Sequence, residues 1–268
     1  MPRFAANLTT MFTDRPFLER FEAAAAAGFS AVELLLPYDH PPEVIRTELD
    51  THDLALALMN TPAGDWQAGE RGLASLPGRV PDFVASMKMA LEYAAILKPA
   101  CIHVMAGVSR GPWARTIYVS NLSRACDMAP DQQFAIEPIN ARDMPGYHLV
   151  ETQDARTVID AVRKPNLGLQ LDLYHCQISE GDLTRRIETL GPLIRHVQIA
   201  GVPDRGEPDR GELALGHLLE VLDRVGFDGW IGCEYWPAGR TEDGLGWFAP
   251  WRRTPRRVSA TPGASVVG

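Results

Sequence analysis

The chain has 268 residues, 46% of them hydrophobic and 22% charged, enough to bury a sizeable core as one α/β barrel or two small domains. A formal net charge of -8 argues against a nucleic-acid binder working through a broad basic face and points to small polar or metal-bound ligands. No N-terminal stretch joins a basic region to an apolar core and a cleavage site, and no apolar run is long enough to span a bilayer, so a cytoplasmic protein with no membrane partner is expected. Four scattered cysteines, Cys101, Cys126, Cys176 and Cys233, form no CxxC pair and read as free, buried thiols.

Residues 3–8 read as a first strand and 16–28 as a helix, with Pro16 near its start, Phe17, Leu18, Phe21 and an alanine run as its apolar side, and Gly28 where a C-terminal cap belongs. Residues 31–36 make a strand closed by Pro37, 42–51 a short helix and 54–59 a third strand. The Gly- and Pro-rich segment 60–78 is too long for a connector and reads as a lid or binding loop. A long amphipathic helix at 79–97, a strand at 100–105 and a helix at 113–128 follow. The stretch Phe134-Ala-Ile-Glu-Pro-Ile-Asn140 is a fifth, buried strand, stopped by Pro138, which has no N–H to continue a central ladder. Thr152 is the expected N-cap of a helix reaching residue 162, before a strand at 167–171, a helix at 183–190 and a strand at 196–199. After a loop dense in charge and glycine at 201–211 come a helix at 213–225, an eighth strand at 230–233 and a helical piece at 242–247. Strand–helix units spaced by roughly thirty residues predict a single (β/α)₈ TIM barrel over 1–251 rather than a doubly wound sheet. From 252 to 268 the composition turns to Arg, Pro, Ser, Thr, Ala and Gly without apolar periodicity, and a disordered tail is expected.

Four strands end in an oxygen-bearing side chain: Glu137, Asp172, Gln198 and Glu234. Lying side by side, they would converge on the C-terminal rim, where barrel enzymes carry their chemistry. Three acids there repel one another without a cation, so the set points to a hard divalent ion, Mg²⁺ or Mn²⁺. His175, three residues past Asp172, would sit just above the rim and meet a substrate oxygen; a histidine satisfied in its loop is the bland alternative. Arg205 is a candidate clamp for a substrate carboxylate, against a solvated loop arginine. Trp66 and Glu70 fall in the lid as candidate substrate contacts. His103, central to its strand, reads as a core residue hydrogen-bonded inside the barrel, and Glu33 is a candidate to point inward, which its place below Pro37 leaves open.

Several segments carry a resemblance: Ala6-Asn-Leu8, Pro62-Ala-Gly-Asp-Trp-Gln-Ala-Gly-Glu-Arg-Gly72, Ile136-Glu-Pro-Ile-Asn140, Pro145-Gly-Tyr-His148, Asp172-Leu-Tyr-His175, His196-Val-Gln-Ile-Ala200, Arg205-Gly-Glu-Pro208 and Gly232-Cys-Glu-Tyr235. On these the chain resembles the hydroxypyruvate isomerase family, including the 2-oxo-tetronate isomerases, within the xylose isomerase-like TIM barrels. The likeness runs from Arg3 to about Trp251 and is most specific in the lid. It implies that Glu137 and Glu234 exchange the substrate proton and that Asp172 and Gln198 complete the metal site. In the related sugar epimerases the Gln198 position is usually His; a neutral oxygen there favours Mg²⁺ or Mn²⁺ over zinc.

The implied activity moves a carbonyl between adjacent carbons of a small hydroxy-keto acid, as in hydroxypyruvate to tartronate semialdehyde or a 2-oxo-tetronate to its 3-oxo isomer, through an enediolate stabilised by the metal. The rivals are a sugar or keto-sugar epimerase of the same superfamily, a metal-dependent nuclease, which needs strand-end histidines and a basic groove, and a non-catalytic sugar-acid binding protein. A homo-oligomer is compatible with the sequence. Because the tail lacks the apolar periodicity to offset its ordering entropy, truncation after Trp251 should leave the melting temperature almost unchanged. A large loss of stability or activity would mean that the tail docks.

Overall fold

The apolar runs that alternate with amphipathic stretches fold as parallel strands joined by crossover helices. In the computed structural model, which describes residues 2–252, the strands are β1 (Arg3–Asn7), β2 (Ala31–Leu34), β3 (Ala55–Asn60), β4 (Cys101–His103), β5 (Phe134–Ile136), β6 (Leu167–Asp172), β7 (Ile194–Ile199) and β8 (Trp230–Cys233). Each pairs in parallel with the next, and β8 closes on β1, so no sheet edge is left open. The helices are α1 (Glu19–Ala26), α2 (Pro42–Thr51), α3 (Val80–Leu97), α4 (Ala114–Met128), α5 (Thr152–Val162), α6 (Leu173–Ser179), α7 (Leu183–Leu190) and α8 (Leu215–Arg224). Among the described residues no helix is long and apolar enough to cross a membrane.

The outer helices obey helical spacing. On α5, Ala155, Val158, Ile159 and Val162 recur every three or four residues and form the buried stripe against the strands. Inside the barrel the period is two, so alternate strand residues stack in layers. The lowest layer gathers Ala5, Ala31 and Ala57 around Trp230; three small side chains leave the room that one indole fills. Arg3 covers that indole from the N-terminal end, its guanidinium carbon 3.9 Å from the ring centroid.

Two features differ from the sequence reading. Thr152 begins α5 rather than capping it: Glu151 holds the N-cap position, and the Thr152 N–H and hydroxyl both donate to the Glu180 carboxylate, at 2.8 and 3.1 Å. An anion supplied from another segment meets the positive end of α5 better than a local hydroxyl does. The helix α6 lies where the sequence reading places only a loop that carries His175 above the rim.

The helical piece expected at 242–247 is a longer 3₁₀ segment, Thr241–Trp251. It packs Trp247, Phe248 and Trp251 around Phe4, and Phe248 stacks on Phe29 with centroids 4.3 Å apart. Arg252, first residue of the segment expected to be disordered, donates to the Leu245 carbonyl at 3.0 Å; the rest of that segment lies outside the described residues. Because Phe248 is fully enclosed, Phe248→Ala should cost about 3–5 kcal/mol, read in a thermal melt as a fall of roughly 6–20 °C. A fall under about 2 °C would show that this aromatic cluster does not hold the barrel.

Candidate active site

The strand ends open into a cavity of about 530 Å³ lined by Glu137, Glu234, His103, His175 and Arg205, with Trp66 and Trp236 among its outer walls. Pro138 stops β5 so that Glu137 projects at its lip, and β8 ends at Cys233, one residue before Glu234. Asp172 closes β6 and also caps α6. Its Oδ1 accepts from the N–H groups of Tyr174 (2.8 Å) and His175 (3.4 Å), while Oδ2 is buried without a hydrogen-bond partner.

The sequence-predicted residues converge, with differences in what each does. Glu137, Asp172 and His175 offer atoms that lie within 4.8 Å of one another. His175 accepts on Nδ1 from the Asn140 amide at 2.6 Å, which leaves the Nε2 proton facing Asp172 Oδ2 at 3.6 Å. Glu234 accepts from Gln198 Nε2 at 2.6 Å and from the Arg205 guanidinium. Arg205 also stands 3.7 Å from Asp172 Oδ2, so one cation spans two of the three acids. Its backbone is left-handed (φ 55°) and tied to Gly201 O and Trp236 N, and a Cβ on Gly201 would run into the carbonyls of Glu207 and Arg210.

Gln198 is held differently from a simple metal ligand. Its carbonyl accepts from Gln170 at 2.6 Å, and its amide nitrogen donates to both Glu234 and Glu33; a half-turn of the amide would present the oxygen to the acids. Glu33 does point inward. It is fully buried and also accepts from Asn7 (2.9 Å) and His196, so Asn7, Glu33, His196, Gln198 and Gln170 form a polar layer beneath the site. A Cβ on Gly232 would strike the Glu33 carboxylate, which is why β8 carries a glycine there.

Two expectations are corrected. Glu70 is not among the residues lining the cavity; Arg79 and the Asp65 N–H take its carboxylate, so it braces the lid from within, while Trp66 reaches the cavity. His103 is buried, as expected of a core residue, but it lines the cavity and neither ring nitrogen has a hydrogen-bond partner. Sequence reading also missed Asn140, Asp143 and Arg20. Asn140 stood in the quoted Ile136-Glu-Pro-Ile-Asn140 segment, whereas nothing local marked Arg20, whose guanidinium is fixed by the carbonyls of Arg15 and Leu8 and lines the cavity with no carboxylate within 4.0 Å among the described residues.

Burial dominates the electrostatics. It drives the Glu137 carboxyl well above its usual range, and the charges of Glu234 and Asp172 add to this. It pushes Glu234 up to about 7, with Arg205 pulling the other way. His175 falls to about 4 and His103 to about 3, again through burial first, so both rings are neutral near pH 7. An orphaned carboxylate oxygen among clustered, desolvated acids is chemistry that suits a hard divalent ion, so the donor set fits one.

A closed parallel barrel with acids, an amide and an arginine gathered at the C-terminal ends of its strands is the architecture of a TIM-barrel enzyme. The profile of the xylose isomerase-like TIM barrel matches residues 21–251. The 2-oxo-tetronate isomerase of Cupriavidus necator is 50% identical, over 94% of this chain and 99% of its own. The hydroxypyruvate isomerase of Escherichia coli is 42% identical over 94% of this chain and 100% of its own. A solved Brucella melitensis protein described as an AP endonuclease, family 2, superposes with a TM-score of 0.93 at 50% identity, covering 94% of this chain and all of that one. The Escherichia coli 3-keto-D-glucoside 4-epimerase, at 20% identity and a TM-score of 0.75 over 93% of this chain and all of its own, shares the fold. The chain belongs to the hydroxypyruvate isomerase and 2-oxo-tetronate isomerase family of xylose isomerase-like TIM barrels, and it is an isomerase.

Asp172→Asn keeps the Oδ1 cap of α6 but removes a charge from the acid cluster. Mn²⁺ at a hundred times its Kd should stabilise the parent by about 2.7 kcal/mol in a thermal melt and the variant far less. Equal shifts in both proteins would take Asp172 out of the ion site.

Proposed function

We propose that this isomerase interconverts small 2-oxo-3-hydroxy acids with their aldehyde or 3-oxo isomers, using Glu137 and Glu234 to move a proton between adjacent carbons. The observation that carries this reading is a pair of buried carboxylates lining one cavity, both raised toward neutrality, where a carboxyl can take and return a carbon-bound proton. The names of the relatives, hydroxypyruvate isomerase and 2-oxo-tetronate isomerase, supply the substrate class.

One glutamate removes the proton from the hydroxyl-bearing carbon, leaving an enediolate on the substrate; a glutamate returns a proton to the neighbouring carbon, and the hydroxyl proton passes to the former carbonyl oxygen. The neutral His175 donates from Nε2 to a substrate oxygen, its ring oriented by Asn140. Arg205 already spans Glu234 and Asp172, so Arg20, with no acid partner among the described residues, is the freer cation for the substrate carboxylate. Glu137 and Asp172 would hold a Mg²⁺ or Mn²⁺ ion, with Glu234 and a turned Gln198 amide completing the set. Such an ion supplies Lewis-acid polarisation of the carbonyl and hydroxyl oxygens. The holders are carboxylates and one amide rather than a histidine cluster, which speaks against a nuclease and a nucleic-acid partner. Four buried free thiols agree with a reducing, cytoplasmic setting.

Glu137→Gln and Glu234→Gln preserve size and an oxygen but not basicity. Each should lower kcat by roughly two to four orders of magnitude, with KM less affected, and slow deuterium incorporation at the exchanging carbon in D₂O as followed by NMR. A variant that retains near-parental exchange would remove its glutamate from the mechanism.

A further inference from the structure

The β3–β4 side of the cavity carries two polar side chains whose hydrogen bonds the protein leaves unmade. His103 ends β4 and is 1% exposed, and both of its ring nitrogens lack partners. Asn60, its register partner at the end of β3, is 6% exposed, and its Oδ1 is likewise unpartnered. Both line the cavity. The other buried imidazoles are treated differently: Glu33 holds His196, and Asn140 holds His175. Buried polar atoms are nearly always satisfied, and adjacent exceptions facing a cavity mark groups that find their partners in a bound molecule.

The position is also chemically apt. His103 is in register with Ala135 on β5, whose small side chain leaves room for the ring, and Glu137 follows two residues later on the same inward-facing set. His103 Nδ1 lies 3.4 Å from Glu137 Oε2.

We propose that Asn60 and His103 form the substrate-oxygen edge of the site: Asn60 Oδ1 accepts from a substrate hydroxyl, and His103 hydrogen-bonds the oxygen on the carbon that Glu137 serves. This rests on the proton-transfer reading above. A hydroxy-keto acid presents both partners, a hydroxyl donor and a neighbouring oxygen, on adjacent carbons. A neutral ring adds no charge to a cavity of acids, yet it can support an oxygen that gains negative charge as the proton leaves.

The test uses the full chain and its variants His103→Leu, His103→Asn, His103→Gln and Asn60→Ala, each first checked for an intact thermal melt and for its Mn²⁺ shift. His103→Leu should lower kcat/KM roughly 10²- to 10³-fold, the scale of a lost donor to a developing oxyanion. Asn, which offers a polar atom near the Nδ1 position, or Gln, near that of Nε2, should recover at least about tenfold of that loss. Calorimetry with D-glycerate and D-lactate, which differ by one hydroxyl, reads the edge without turnover. The parent should prefer D-glycerate by roughly tenfold, and Asn60→Ala and His103→Leu should erase that preference. His103→Leu within about threefold of the parent in kcat/KM, or Asn and Gln variants as inactive as Leu, would overturn the proposal. So would loss of the Mn²⁺ shift in His103→Leu, which would make the ring part of the ion site. If the parent turns over no hydroxy-keto acid, the isomerase reading fails by itself, and the glycerate preference decides the edge: its loss in the variants supports it, and its persistence or absence from the parent overturns it.

Discussion

Glu137, Asp172 and Glu234, three carboxylates buried together at the strand ends, repel one another, and the surrounding structure is organised to contain that repulsion. Arg205 spans Glu234 and Asp172, the N–H groups at the start of α6 hold one oxygen of Asp172, and Gln198 donates to Glu234. Glu137 has none of these supports; its only ion-pair partner within 4.0 Å among the described residues is the neutral His103, and burial drives its carboxyl well above the usual range. Breaking a buried pair by removing one partner is costly, because the other charge stays desolvated. Arg205 is therefore as much a part of the fold's tolerance for the site as of the site itself.

The same constraint extends down the barrel. Between the alanine floor around Trp230 and the acids lies the layer of Asn7, Glu33, His196, Gln170 and Gln198, in which the Glu33 carboxylate receives three donors. The hydrogen bonds shared within the layer fix the orientation of its side chains, although Gln170 Oε1 stays buried without a partner. Gln198 links this layer to Glu234, so the direction of a strand-eight carboxylate depends on a strand-two carboxylate that never reaches the cavity. Gly232 belongs to the same arrangement, since its missing side chain is the space Glu33 occupies.

Much of the architecture was legible because it depends on local rules. Apolar runs ended by proline or by an acid marked the strands, and β8, α2 and α7 fall where periodicity put them. The convergence of Glu137, Asp172 and Glu234 followed from strand ends sharing one rim. Errors arose where a partner came from elsewhere in the chain. Thr152 looked like a cap until Glu180 took its donors, and Glu70 looked like a lid contact until Arg79 drew it inward. The helix α6 has a local signal, the Asp172 side chain over two following N–H groups, but in the sequence the same residue also marks the end of β6 and a member of the acid set.

By itself the sequence determined the period of each segment, the order of strands and helices, and which residue types would reach the rim, because propensity, proline breaks and hydrophobic spacing act over a few residues. The tertiary structure alone decided which groups are paired and which are left open. Glu33 meets His196 and Gln198 across 163 and 165 residues of chain, and Arg205 meets Glu234 across a loop whose path no local rule dictates. His103 and Asn60 become conspicuous only once their neighbours are known to offer them nothing. Burial and hydrogen-bond satisfaction are properties of the assembled barrel, so no window of sequence contains them.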